Sequence, residues 1–280
     1  MFKIVSKTIL APQVKRIEVE ALNIARRARP GQFVVLRVNE KGERIPLTIA
    51  GQDSAKGTIT LIFQEIGKTT RTLGTLNTGD SILDLVGPLG HPTKTGKLGT
   101  VVVVGGGVGV AEVLPVAKAF KDAGNTVIGI IGARNRELVI LETEMRRNCD
   151  ALHVTTDDGS YGRKGFVSDV LQELLAAKTP INAVYAIGPV PMMKVVANVT
   201  RPYNLTTVVS LNPIMVDGTG MCGACRVSVA GKTKFACVDG PEFDGHQVNW
   251  EELIARLAIF KNEEKISLEK CSGDCRCQGK

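Results

Sequence analysis

Thr100-Val101-Val102-Val103-Val104 is a continuous apolar run. It ends in Gly105-Gly106-Gly107-Val108-Gly109 and passes at once into helical spacing over Val110 to Ala123. A strand without polar alternation is buried on both faces, which requires a parallel sheet with helices on either side. Glycines let the backbone turn sharply between strand and helix. The unit recurs. Thr126–Ile131, Leu152–Asp158 and Ala183–Pro189 read as further strands, and helices are expected over 137–149 and 165–177. Residues 96–205 therefore read as an α/β nucleotide-binding domain with a parallel sheet.

Residues 1–95 differ in kind. Phe2–Leu10, Val14–Leu22, Gln32–Val38, Thr58–Ile66 and Ser81–Pro88 alternate or run apolar, with turn residues between them. Short strands at this spacing suggest a sheet closed into a β-barrel, which leaves no open edge. Residues 206–246 are rich in glycine and cysteine. Over 247–280, Trp250, Leu253, Ile254, Leu257 and Phe260 fall on one expected helix face, followed by a polar tail expected to be mobile.

Composition excludes several classes. The net charge is +7, but Lys and Arg are scattered without a basic run or neighbouring aromatics, so no nucleic-acid surface is expected. The longest apolar run is broken by glycines, Glu112 and Pro115, so no membrane span is expected. No export signal is evident. The 7 cysteines cluster late, which points to a reducing cytoplasm and metal ligation rather than disulfides.

The ligating residues follow a tight pattern. Asp217, Cys222, Cys225 and Cys237 lie in Gly-rich sequence, and Gly218, Gly220 and Gly223 permit the bends that converging ligands need. Zinc would accept three sulfurs and a carboxylate oxygen, and an iron–sulfur cluster accepts a similar set. The spacing alone does not separate them. Asp217 is read as a ligand, with a turn-capping role as the alternative. Cys271, Cys275 and Cys277 are not expected to build a second centre. Cys149 reads as a packing or surface thiol.

Nucleotide binding is expected at three turns past strand ends. Gly105, Gly106, Gly107, Val108 and Gly109 offer backbone N–H groups and a helix N-terminus to a phosphate. The next strand ends at Arg134, without the acidic residue usual for a dinucleotide ribose. Asp157 and Asp158 follow the third strand. Gly188, Pro189 and Met192 follow the fourth, where Gly188-Pro189 leaves a small flat wall for a planar ring.

Taken in order, the Gly-rich turn, Gly132-Ala133-Arg134, Asp157-Asp158-Gly159-Ser160-Tyr161-Gly162 and Gly188-Pro189-Val190-Pro191 behind a barrel-like region resemble the ferredoxin-reductase type of flavoprotein. With the cysteine array, the chain is similar to the electron-transfer subunit of dihydroorotate dehydrogenase B. It also resembles the small subunit of NADH-dependent reduced ferredoxin:NADP oxidoreductase. The resemblance implies FAD on the barrel, NAD on the α/β domain and a 2Fe-2S cluster in the C-terminal module. It implies an oxidoreductase subunit that passes hydride between NAD(H) and FAD and single electrons between FAD and the cluster. It also implies a larger partner with FAD and a 4Fe-4S cluster, forming a heterodimer that reaches ferredoxin and NADP(H) in electron bifurcation. The flavin motif of the resemblance falls on Arg44, Pro46, Leu47 and Thr48, with Ile45 where an arginine is usual. A second falls on Gly67, Lys68, Thr69 and Thr70, with Thr69 in place of a glycine. In the dihydroorotate-type pattern position 217 is a cysteine, which sets this chain apart from it. Two alternatives stand beside the bifurcating reading: the dihydroorotate dehydrogenase B subunit itself, and a zinc-bearing, nucleotide-sensing regulatory protein.

Overall fold

The computed structural model describes residues 1–273, without the side chains of residues 271–273. The first part is an antiparallel sheet of seven strands in the order β6-β1-β2-β5-β4-β3-β7. Its strands are β1 (Phe2–Ala11), β2 (Val14–Glu20), β3 (Phe33–Arg37), β4 (Arg44–Asp53), β5 (Thr58–Gln64), β6 (Ser81–Ile82) and β7 (Asp84–Leu89). Two short helices join them, α1 (Leu22–Ala25) and α2 (Lys68–Thr75). Alternation sorts the side chains. Ile17 and Val19, with Ile59, Leu61 and Phe63, point into the barrel core. Ile62 and Val14 point outward and join the core of the following sheet instead. The barrel is thus packed against its neighbour by its own outward-facing apolar residues.

The second sheet has the order β11-β10-β9-β8-β12-β13-β16. Its elements in chain order are β8 (Thr100–Gly106), α3 (Val110–Asp122), β9 (Thr126–Ala133), α4 (Glu142–Asn148), β10 (Ala151–Thr156), β11 (Arg163–Lys164), α5 (Val167–Ala176), β12 (Ala183–Ile187), α6 (Val190–Thr200) and β13 (Thr206–Ser210). The apolar run works as expected. Val101 and Val103 face a core with Val113, Val116 and Phe120 of α3. Val102 and Val104 face a second core with Leu171 of α5 and Met193 of α6. All four are fully buried. The helix expected over 137–149 begins only at Glu142, because Leu141 takes a left-handed conformation (φ 56°).

The last part holds β14 (Arg226–Val229), β15 (Lys232–Phe235), α7 (Ala236–Asp239), β16 (Glu242–Asp244), α8 (Trp250–Leu257) and α9 (Lys261–Gly273). β16 pairs antiparallel with β13, so the parallel sheet continues beyond residue 205, where the sequence reading set a boundary. Trp250 and Leu253 are buried as expected, but Ile254 and Phe260 are exposed, and α8 ends at Leu257. The expected mobile tail is helical up to Gly273, and Cys275 and Cys277 lie outside the described residues. Among the described residues no helix is long and apolar enough to cross a membrane.

Candidate functional site

A cavity of about 740 Å³ opens at the C-terminal ends of the parallel strands, against the barrel. That size suits a nucleotide cofactor. Gly106, Gly107, Val108 and Gly109 line it, together with Arg134, Asp157, Gly188, Pro189 and Met192. Two expected residues do not. Gly105 lies under Val110, and a Cβ there would come within 3.1 Å of the Val110 backbone. Asp158 turns away, its carboxylate accepting from the Ser160 N–H (2.9 Å) and hydroxyl (2.7 Å). Those bonds hold its pKa below the ordinary carboxylate value, the hydroxyl contributing most.

The glycines divide their work. A Cβ on Gly106 would lie 2.4 Å from Met192 Sδ, and one on Gly188 would lie 3.0 Å from the Gly106 carbonyl. These two are small because the first and last turns pack against one another. Gly107 has φ +56° and nothing within 4 Å of its missing Cβ. It alone combines a left-handed backbone with open space at the cavity, the cradle a phosphate would use at the start of α3.

Several lining residues escaped the sequence reading. Val14 and Gln64 come from the barrel, and Phe166 and Ser168 from the start of α5. Phe166 is 61% exposed, large for a phenylalanine, while Asp169 anchors its backbone N–H at 2.8 Å. Glu112 also lines the cavity, in the first turn of α3. Burial pushes its carboxyl up to about 7, and the Thr48 hydroxyl beside it works in the opposite direction. An acidic residue three positions past a glycine turn, in an apolar helix, was the visible signal for it.

On the barrel, strand register assigns the flavin-motif residues. Thr48 pairs with Phe33, Pro46 with Val35 and Arg44 with Arg37, so these six share one face. That face is the outer one, because Phe33 and Val35 pack in a cluster with Cys225 and Cys237. Leu47 packs against the barrel core instead, so only its backbone is available outside. Arg44 lines a second cleft, with Asp217 and Thr219 rather than with α2. At α2, the Thr70 hydroxyl accepts from the N–H groups of Ile66 and Gly67 and donates to the Gly67 carbonyl, each at 3.1 Å. That uses its one proton and both lone pairs, so Thr70 caps the helix. Exposed Lys68 and the first-turn N–H groups remain at this end, while Thr69 is buried. At the other end, Lys7 and Lys15 donate to the Gly74 carbonyl at 2.8 and 2.9 Å, matching cations to the helix C-terminus.

The ligand array is partly assembled. Cys225 and Cys237 are buried and not joined in a disulfide; the Cys225 thiol donates to the Cys237 sulfur at 3.2 Å. Burial and the Cys225 sulfur push the Cys237 thiol up to about 12, so a metal must displace its proton. Cys222 is exposed on the adjoining loop. The Asp217 carboxylate accepts from the N–H groups of Thr219 (2.6 Å) and Cys222 (2.9 Å), and these bonds lower its pKa, that of Thr219 foremost. Among the described residues no three His, Cys, Asp or Glu side chains converge as a formed metal site. The donor set fits a thiolate-rich centre: two sulfurs already meet, and a third sulfur and a carboxylate sit on the loop beside them.

Comparison with known proteins bears on each part. Residues 103–198 match the oxidoreductase NAD-binding domain, and residues 212–249 match the iron–sulfur cluster binding domain of dihydroorotate dehydrogenase B. The "dihydroorotate dehydrogenase B (NAD(+)), electron transfer subunit homolog" of Thermotoga maritima is 48% identical over 268 residues, covering 96% of this chain and 94% of that protein. The dihydroorotate dehydrogenase B electron transfer subunit of Streptococcus pneumoniae is 36% identical over 249 residues, covering 86% of this chain and 97% of that one. A chain from a structure of NADH-dependent reduced ferredoxin-NADP oxidoreductase, described as giving insight into flavin-based electron bifurcation, superimposes with a TM-score of 0.92 at 46% identity. It covers 96% of this chain and 97% of that chain.

Proposed function

The chain belongs to the family of dihydroorotate dehydrogenase B electron-transfer subunits and their homologues, NAD-dependent flavoprotein oxidoreductase subunits, and from that premise we propose its specific task. It is the NAD(H)-reactive subunit of an electron-bifurcating NADH-dependent reduced ferredoxin:NADP oxidoreductase. Its cofactors are FAD, NAD and a 2Fe-2S cluster. Nicotinamide exchanges hydride, an iron–sulfur cluster exchanges one electron, and flavin does both, which places FAD between the other two.

One observation supports this most. The outer face of the β3–β4 pair carries Pro46 and Thr48, and the cysteine pair packs on that face through Phe33 and Val35. The start of α3, with Glu112, reaches Thr48 across the same strand. The nucleotide and metal sites therefore flank one strand pair. Thr48 orients the flavin ring, and the first-turn N–H groups of α2 with Lys68 hold its diphosphate. Gly106 to Gly109 hold the nucleotide phosphates, and Gly188 and Pro189 form the wall for the nicotinamide. Arg134 and Asp157 bracket the adenosine end, where the Asp157 charge disfavours a 2′-phosphate. Asp217, Cys222, Cys225 and Cys237 ligate the cluster. A larger partner carrying FAD and a 4Fe-4S cluster completes a heterodimer and reaches ferredoxin and NADP(H).

The test is purification with the native partner, followed by flavin and iron analysis and turnover. NADPH should reduce ferredoxin only when NAD is also present. Reduction of NAD by dihydroorotate instead would assign the dihydroorotate branch. A colourless, zinc-containing chain would reject both. Dye reduction by the isolated subunit should favour NADH over NADPH, and the reverse preference would overturn the assignment at Asp157.

A further inference from the structure

Glu112 is a carboxyl in a place that an apolar helix gives no reason to keep. It follows the glycine turn, faces the cavity and lies on α3, which packs against β4, the strand of Thr48. The Thr48 hydroxyl is close enough to act on its carboxyl. A helix N-terminus favours a charged carboxylate. Burial opposes this and wins, since the group titrates at about 7 rather than at its ordinary 4.5. Charged neighbours do not explain it. β8 and β9 carry no titratable side chain, and β12 carries Tyr185. β4 carries Arg44 and Asp53 at its ends, and α4 carries Glu142 and Arg146, paired with each other, besides Glu144 and Arg147. None of these acts on Glu112, whose two influences are burial and the Thr48 hydroxyl.

The hydride exchange of the proposed function leaves a proton unassigned in either direction: flow toward NAD must supply one to the flavin, and the reverse flow must remove one. In the reverse flow, NADH gives the flavin two electrons and one proton as hydride and departs as NAD⁺. The iron–sulfur centre takes the two electrons away one at a time. One proton stays behind and must leave the flavin before the next hydride arrives. We propose that Glu112 is the acceptor of that proton, receiving it through the Thr48 hydroxyl and releasing it to water in the cavity. A hydroxyl is suited to the relay, since it donates one proton and accepts another. A base titrating near the working pH takes up and releases protons with similar ease. The assignment rests on the reading that Thr48 faces the flavin.

The experiment uses the full FAD-loaded chain, reduced with NADH and reoxidised by hexacyanoferrate(III) across pH 5.5 to 9. In the wild type the reoxidation rate should rise with pH, with a midpoint near 7. Glu112→Gln should lower the rate at least tenfold and flatten the profile. Thr48→Val should do the same, and Thr48→Ser should restore it. In the flavin-free chain, carbon-13 NMR of glutamate carboxyls should lose one resonance titrating near 7 in Glu112→Gln. A FAD-loaded Glu112→Gln protein with the wild-type pH profile overturns the relay alone. A chain that retains no FAD overturns the functional reading and the relay with it. Loss of FAD in Glu112→Gln but not in Thr48→Val, with an unchanged profile in the latter, would make Glu112 a structural residue and reject the relay.

Discussion

At the residue scale, Asp217 holds two positions in the argument at once. Its carboxylate accepts two backbone N–H groups of the cysteine loop, and it also stands where a fourth donor is wanted. Asp217→Asn tests the ligand role. The two N–H groups fall on different carboxylate oxygens, so the amide oxygen keeps the bond from Thr219 but loses the one from Cys222, and the anionic donor is gone. The expected outcome is an altered EPR spectrum with reduced iron content, because an anionic oxygen donor is lost. An unchanged spectrum would restrict Asp217 to capping. Replacing Cys271, Cys275 and Cys277 together by serine should leave iron content at the wild-type level. Loss of iron in that triple variant would place a ligand in the C-terminal segment.

At the element scale, two short turns carry most of the binding argument. Gly107→Ala places a Cβ into the open side of the cradle and holds alanine at φ +56°. The left-handed backbone should cost on the order of 1 kcal/mol of stability. NADH affinity, read by calorimetry, should fall by about tenfold because the added methyl occupies the phosphate's approach. Unchanged affinity would move the phosphate elsewhere. Thr70→Val breaks all three capping bonds at α2, and should destabilise the chain by about 1–2 kcal/mol in urea unfolding and weaken FAD retention. Thr70→Ser should recover both. Elements whose signal was local were legible in the sequence. Thr100–Val104 announced a strand buried on both faces, and the glycine turn announced the helix after it. What was not legible depends on partners distant in the chain. Leu47 is turned into the barrel by its register with Val34, and α4 is delayed by the conformation of Leu141. Thr70 belongs to the second flavin motif, and nothing in the sequence shows that its hydroxyl is committed to three backbone bonds. Glu112 acquired its meaning only when Thr48, from the other sheet, arrived beside it.

At the scale of the whole molecule, a second carboxyl shows how the parts are joined. Glu242 lies on β16, at the edge of the parallel sheet, and accepts from the Thr93 hydroxyl of the connecting segment at 2.5 Å. Thr93 in turn donates its N–H to the Pro30 carbonyl of the barrel at 2.8 Å. A Cβ on Gly31 would meet both the Thr93 hydroxyl oxygen, at 2.3 Å, and Glu242 Oε1, at 3.0 Å, so barrel, connection and sheet edge close on one point. Burial raises the Glu242 carboxyl to about 7, against an ordinary value of 4.5. The folded chain therefore binds a proton that the unfolded chain has released between those two values. Stability should be greatest at the acid end of this window, fall as pH rises through it, and level off above the folded value. One such group accounts for at most about 3 kcal/mol across the window, and Glu112 contributes with the same sign. Glu242→Gln keeps an oxygen to accept from Thr93 and removes the titration. Its unfolding free energy should therefore change less between pH 5.5 and pH 8 than that of the wild type, and Glu112→Gln combined with it should flatten the curve further. Urea titrations at the two pH values make the comparison. A wild type whose stability changes between the two pH values no more than that of Glu242→Gln would mean that the carboxyl is already ionised in the folded chain, and that Thr93 donates to a carboxylate rather than to a protonated carboxyl.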